Sequence, residues 1–526
     1  MPVHDPSGLS HPPAPRSSRL SGVGVKALRT AQLRPGDIQL YRSCDELSGW
    51  VIYLMVVFSP WAFGTTEPWS IRIMDGAGYL LGSLLLVKWI VRRWKGYSPA
   101  RWDQGMGRRL RTSNGKLRVL GVLTVLILGY CLVSALNAAA TKDPSKFSFD
   151  YHGHIGWLPH SFDGNRSWQA LRDYLALALG FWSVRDWLQG RAGDELRVRP
   201  EEEGVGRVPL ITTRLKRLLW LLSINGGLLA VEGMIQRFSG TGMLLFMVPT
   251  KVNQAAEHQF GPYHYRGSAA SFFNLLWPVC LGFWWSLQRV QKHKTFQNNL
   301  LLVSVGLMAV CPIICLSRGG AFVDFVLVAA APLCLGLSSL LRSRQDPSAS
   351  RKNTSGFWKL GVFPAAVLAF GLYQGWHSLS LRLTAAEGGL DARRQMCEDA
   401  QPMVADFPAY GTGPGTFETV FELYRIVAST YWAAQLHNDW LETRITFGWV
   451  GSALIALAFL DLLSLWFRRA GPGNNRDLVL MIWLALAGCL VHARWDFPFQ
   501  IYSILFLFLI LCSILSLQSI SRTRTG

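Results

Sequence analysis

The chain has 526 residues, half of them hydrophobic and only 16% charged, with 52 Lys and Arg against 33 Asp and Glu. So low a charged fraction, broken by long apolar runs, excludes an ordinary string of soluble domains. The net charge of +19 does not describe a nucleic-acid binder either, because the basic residues lie between apolar segments of about 20 residues and not on clustered polar faces. The pattern predicts an all-α polytopic membrane protein, with membrane lipids as its surroundings.

In chain order, residues 1–47 are rich in Pro, Ser, Gly and Arg, with no apolar h-region before Trp50. They read as a disordered basic cytoplasmic tail and not as a cleaved signal peptide. Twelve apolar stretches follow, near residues 48–63, 71–91, 119–140, 168–188, 217–236, 269–288, 299–316, 319–341, 358–376, 447–467, 477–493 and 499–518. The first four belong to a membrane region over 48–210, the rest to a second region over 211–518, and 519–526 form a short tail. Most of the Lys and Arg fall in the tail and the even-numbered connections, nine between Arg92 and Arg118 and seven between Arg191 and Arg217. The positive-inside rule therefore places both termini in the cytoplasm, with about 12 transmembrane helices. Three connections on the opposite side are long: 141–167, 237–268 and 377–446. The nine Cys sit mostly in apolar runs and read as packing residues with no disulfide framework. Trp50, Trp61, Trp69, Trp89, Trp94, Trp284, Trp285 and Trp376 lie near span ends and read as interfacial belt residues.

Chemistry concentrates in the loop 377–446, a large periplasmic loop in this topology. Gly411, Gly413 and Gly415 around Pro414 describe a backbone-exposed turn that either approaches a ligand closely or simply connects two surface helices. His437, just above the tenth span, has an unperturbed pKa near 6.5 and suits a general base, although a surface His bonded within its loop gives the same sequence. Three arginines lie on the same side: Arg266 before the sixth span, Arg318 in the tight turn of LSRGGAF, and Arg393 early in the long loop. A single Arg there can snorkel to headgroups. Three with a His point to an anionic ligand, because guanidinium groups bind phosphate oxygens in pairs and keep their charge. No Asp/Glu/His cluster with metal-ligand spacing occurs in these loops.

At these residues the chain resembles the O-antigen ligase family, membrane glycosyltransferases related to O-antigen polymerases. Five elements carry the resemblance in order over roughly 210–518: GPYHYRGSAASFFNLLWP, SRGGAF, ARRQMCEDAQPMVADFPAYGTGPGTF, QLHNDWLETRITFGWVG, and HARWDFPF with His492 and Asp496. Gly267 and Ser268 depart from the Asn and His common in the family, and Cys397 from its aromatic residue. The resemblance implies a donor glycan on undecaprenyl pyrophosphate, an acceptor hydroxyl such as that of lipid A core, and the periplasmic face of the bacterial inner membrane. It implies that Arg318 and Arg393 hold the pyrophosphate and that His437 activates or orients the acceptor. Arg266, Arg394, Asn438, Gly413 and Gly415 are the expected substrate contacts, with no cofactor, no metal and no nucleic acid. A polysaccharide polymerase or a protein O-oligosaccharyltransferase of the same superfamily fits nearly as well. A transporter is the alternative from another class, with Glu232 and Asp324 as its intramembrane acids. The segment FSFDYHGHIGWLPHSFDGNRSW, outside the resemblance, either contacts substrate or packs over the catalytic region.

Overall fold

The computed structural model describes residues 33–101, 109–143, 145, 148–193, 195, 211–250, 255–290, 296–345, 354–384, 386–426, 434–467 and 476–518. The helices that correspond to the twelve apolar stretches are α1 (Pro35–Trp61), α2 (Pro68–Trp94), α3 (Arg109–Leu136), α4 (Gly164–Gln189), α5 (Thr213–Ser239), α6 (Arg266–Val290), α7 (Phe296–Ile314), α8 (Arg318–Gln345), α9 (Thr354–Thr384), α12 (Asp439–Phe467), α13 (Arg476–His492) and α14 (Tyr502–Gln518). Between α9 and α12 the long connection forms α10 (Ala386–Asp406) and the short α11 (Phe417–Val420). Among the described residues, seven helices are apolar and long enough to cross a membrane: α2, α5, α7 and most of α3, α6, α8 and α12. Lys359–Gln374 in α9 and Tyr502–Leu517 in α14 are shorter apolar stretches. Helix α1 begins at Pro35, so the segment 35–47 is helical and not part of a disordered tail; residues 1–32 lie outside the described residues.

Helix α6 is the centre of the packing, flanked by α5, α7, α8, α13 and α14. Its residues Trp277, Cys280, Phe283, Trp284 and Trp285 are wholly buried. This corrects the interfacial reading of Trp284 and Trp285: a helix surrounded by other helices has no lipid-facing side, so its aromatic residues fill the core. Trp50, Trp69, Trp89 and Trp94 are exposed, whereas Trp61 is half-buried and donates from Nε1 to Asn225 Oδ1 (2.8 Å). The Trp376 side chain lies outside the described residues. Eight of the nine Cys are in helices, and seven are buried as packing residues.

Two features fix the opposite ends of the N-terminal helices. At one end, Lys88, fully buried, bridges Asp45 (3.2 Å) and Asp186 (2.9 Å). Arg92 and Arg101 close on Asp186, and Arg214 at the start of α5 closes on Asp45 (2.6 Å), so α1, α2, α4 and α5 are joined through charge. Charges this far from water are tolerated because each carboxylate is multiply paired. At the other end, β1 (Ala140–Asp143) and β2 (Ser148–Tyr151) form an antiparallel hairpin, and the chain then runs across to the 410–416 turn. Phe162 N donates to Thr412 O (2.9 Å), Ser167 Oγ to Pro414 O (2.9 Å) and Tyr410 Oη to Trp157 O (2.8 Å). Asp163 caps α4 through the Asn165 and Arg166 amides and accepts from Thr419 (3.0 Å). Of the two readings of the unmatched segment, packing over the neighbouring loop is therefore the one these bonds describe.

Candidate active site

The loop that ends at α12 positions His437 by strain. His437 has φ 57°, a left-handed backbone that a non-glycine residue adopts only when its surroundings enforce it. On one side the buried Glu442 carboxylate accepts the Leu436 amide (2.9 Å). On the other, Asn438 Oδ1 accepts the Leu441 amide (3.3 Å), an N-terminal cap of the kind Asn supplies readily. The Asp439 amide donates to Ala493 O (2.9 Å), and its carboxylate accepts from the Phe499 amide (2.8 Å) and Gln500 Nε2 (3.2 Å). The start of α12 is thereby locked onto the loop between α13 and α14.

That loop supplies Asp496. Its Oδ1 lies 3.2 Å from His437 Nδ1, and its Oδ2 accepts from the Tyr265 hydroxyl (3.2 Å) and lies 3.7 Å from His492 Nε2. Burial would raise the Asp496 carboxyl, but the His437 hydrogen bond and the charges of His437, Arg393 and His492 outweigh it and hold the group at about 2. With Asp496 ionised, His437 donates from Nδ1 and presents Nε2 as the acceptor. The imidazole is also packed edge-on to Phe497 (4.7 Å between centroids) and to Tyr265 (5.8 Å), which stacks on Phe497 (5.2 Å).

Arg393, on α10, reaches the same cluster. Its Nη2 donates to the Tyr265 hydroxyl (2.7 Å) and its Nη1 to Trp495 O (3.1 Å). Burial works against the Arg393 charge, yet Tyr265 and Asp496 hold the guanidinium more firmly protonated than usual. Tyr265 is itself pushed up by burial and by the Asp496 charge, so its hydroxyl stays protonated and can donate to Asp496 while accepting from Arg393.

Arg266 opens α6 directly after Tyr265 and donates from Nη1 to Glu257 O (3.0 Å). Arg318 opens α8. Ser317 Oγ accepts the Gly320 amide (3.2 Å) there, and the adjoining Gly319 sits so close to His492 that a Cβ would stand 3.2 Å from Nε2. His492 is fully buried and pairs with Ser271 across its Nδ1 (2.7 Å). The first turn of α8, which carries Arg318, therefore abuts the His492–Asp496 end of the cluster, and the N-terminal end of a helix favours an anion. Gly267 faces the same carboxylate: a Cβ there would collide with Asp496 Oδ2 and the Tyr265 ring.

The structure thus brings together His437 and Arg393, with Arg266 next to Tyr265 and Arg318 at the start of α8 beside the Gly319–His492 approach. It does not bring in the other expected contacts. Arg394 points outward, its side chain 79% exposed and paired with Glu398 one turn on (2.8 Å), because neighbours on a helix diverge by about 100°. Asn438 is buried and used as a helix cap. The glycine turn meets protein and not ligand. Gly411 (φ 68°) and Gly448 (φ 58°, within α12) press backbone against backbone, each leaving no room for a Cβ beside the other. Gly413 (φ 108°) donates to Thr446 O (3.0 Å) and faces Ser161, and Gly415 faces Arg166 and Ala170 of α4. Tyr130 of α3 closes the joint by donating to Tyr410 O (2.5 Å) and Phe447 O (3.0 Å). Asp496, His492 and Tyr265 complete the cluster. The first two stand in the HARWDFPF element, but nothing local to Tyr265 distinguishes it from a packing aromatic. Asp324, one of the two acids of the transport reading, is fully buried and accepts from Trp277 Nε1 (3.0 Å). Among the described residues no group of three or more His, Cys, Asp or Glu forms a metal-ligand set.

The chain is a multi-pass helical membrane protein in which a histidine–carboxylate pair and an arginine meet beside the ends of several helices. A family model described as O-antigen ligase matches residues 298–456, so this part of the chain is a domain similar to the O-antigen ligase family. The match holds Arg318, Arg393 and His437 and leaves Arg266, His492 and Asp496 on its flanks. That family is one of membrane glycosyltransferases of the ligase and polymerase type. No curated protein matches the chain.

Proposed function

We propose that the protein transfers a glycan from undecaprenyl pyrophosphate to a hydroxyl acceptor such as lipid A core, at the periplasmic face of the bacterial inner membrane. In this reading it crosses the membrane with twelve helices, both termini are cytoplasmic, and residues 211–518 form the catalytic membrane domain. The observation that carries it is His437, held in a strained backbone with Nδ1 on Asp496 and with Arg393 tied to the same carboxylate through Tyr265.

The acceptor hydroxyl gives its proton to His437 Nε2 as its oxygen attacks the anomeric carbon. The bond from that carbon to the pyrophosphate oxygen breaks, and undecaprenyl pyrophosphate departs. Asp496 keeps the imidazole in the required tautomer and stabilises the imidazolium. Arg393, Arg318 and Arg266 neutralise the charge that grows on the leaving group, as a divalent cation does elsewhere, so the reaction needs no metal. Displacement in one step inverts the anomeric configuration.

The test is the set His437→Ala, Arg318→Ala and Arg393→Ala. Each should abolish attachment of surface glycan while the protein still accumulates in the membrane, and Arg394→Ala should leave transfer unchanged. Full transfer by all three variants refutes the site. In a deletion strain, long polymer left on the lipid carrier indicates a ligase, and single repeat units indicate a polymerase.

A further inference from the structure

Helix α5 carries one outward stripe, Ile224, Leu228, Val231, Ile235 and Phe238, all exposed. The spacings of four and three residues put these side chains on one side of the helix. This helix is among those long and apolar enough to cross a membrane, and the stripe ends in the exposed Arg217 on the N-terminal side. From Arg217 to Phe238 the helix rises about 31 Å, which matches a hydrocarbon thickness of about 30 Å. Phe238 therefore marks the level at which α5 leaves the hydrocarbon.

Beyond the short turn Ser239, Gly240, Thr241 and Gly242 the chain becomes apolar again. It forms a short hairpin of β3 (Met243–Leu244) and β4 (Val248–Pro249). Leu244 is fully buried and fastens the hairpin to the protein, and Met243 is pinned by Gln236 Nε2 on its carbonyl (3.3 Å) and by Thr241 Oγ1 on its amide (3.2 Å). The tip, Leu245 to Met247, takes left-handed backbone at Leu245 (φ 50°) and Phe246 (φ 62°). A water-facing turn of this kind is ordinarily built from Asn, Asp or Gly. Here the tip and strands instead project Met243, Phe246, Val248 and Met247, the last 75% exposed.

We infer that the hairpin 243–249 is seated in the lipid interface, with the acyl chains of the leaflet as its apolar partner. It continues the lipid-facing stripe of α5 at the depth where that stripe ends, and its apolar tip is rewarded only by a non-aqueous neighbour. This placement is independent of the reaction the site performs.

A nitroxide on Met247→Cys, in the full-length protein reconstituted in phospholipid nanodiscs, tests it by power-saturation spin resonance after subtraction of the signal from the identically labelled parent chain. Glu398→Cys, on the exposed face of α10, is the aqueous reference. Collisions with oxygen exceeding those with a water-soluble nickel chelate at position 247, with the opposite order at 398, support lipid seating. A label at 247 as accessible to the chelate as that at 398 overturns it, and so does one shielded from both reagents, which would mean protein burial. Met247 lies at an exposed tip, and Phe246→Cys reports the same contact should the first variant fail to fold.

Discussion

Replacing Asp496 by Asn removes one charge and almost no volume. The buried carboxylate now accepts from His437 Nδ1 at 3.2 Å and from the Tyr265 hydroxyl at 3.2 Å, and it carries the Arg393 guanidinium through that hydroxyl. An amide can offer its oxygen to only one of these donors, and its NH2 set against His437 Nδ1–H favours the opposite tautomer, in which Nε2 bears the proton and cannot take one from the acceptor. General-base catalysis contributes about 10²- to 10⁴-fold, or roughly 3–5 kcal/mol on the barrier. The Asn variant should therefore lose about 10²-fold or more in initial rate, measured as glycan transfer in proteoliposomes with purified lipid-linked donor and acceptor. His437→Ala should lose a similar factor, and the double variant little more, because the two residues act as one unit. If Asp496→Asn stayed within about threefold of the parent while His437→Ala fell 10²-fold, the carboxylate would not be acting through the imidazole.

The same carboxylate gives an acid limb to stability. Its folded value of about 2 lies below the ordinary 3.8, so its contribution is fully present above the unfolded value and is lost as pH falls from about 4 through about 2. That contribution is about 2 kcal/mol, and thermal unfolding against pH should show Asp496→Asn with a flatter acid limb. Gly413→Ala forces a Cβ against Ser161 at φ 108° and should cost roughly 1–3 kcal/mol in thermal unfolding, with the rate per folded molecule unchanged; a selective loss of rate would restore a ligand role to the turn. Lys88→Met leaves two buried carboxylates short of a partner and should destabilise by about 3 kcal/mol, the low end for a broken buried pair, because Arg92, Arg101 and Arg214 remain; an unaltered melting temperature would refute the network's role.

Much of the architecture was legible in the residues. Each of the twelve apolar stretches falls largely in a helix, because a run that buries its backbone bonds internally is a local property of sequence. The tight turn at Ser317 between α7 and α8, the irregular glycine segment at 411–416 and the short helix after it were equally local. Hydropathy did not distinguish a helix facing lipid from one enclosed by others, so Trp284 and Trp285 read as interfacial although they lie at the centre of the bundle. The glycines at 413 and 415 announced close approach, but whether to a substrate or to Ser161 and α4 depended on what the fold places opposite them.

By itself the sequence determined a mostly helical membrane chain, its charge asymmetry, and a set of arginines and a histidine that read as suited to an anionic substrate. Tertiary structure alone decided which of these act together. Tyr265 and Asp496 are 231 residues apart, Arg393 and Tyr265 128, and His437 and Asp496 59. No local pattern encodes such contacts, since they exist only where α6, α10, α12 and the α13–α14 loop pack to within hydrogen-bonding distance. The same packing turned Arg394 to the surface, spent Asn438 on a helix cap, and gave His437 the strained backbone that aims it at Asp496.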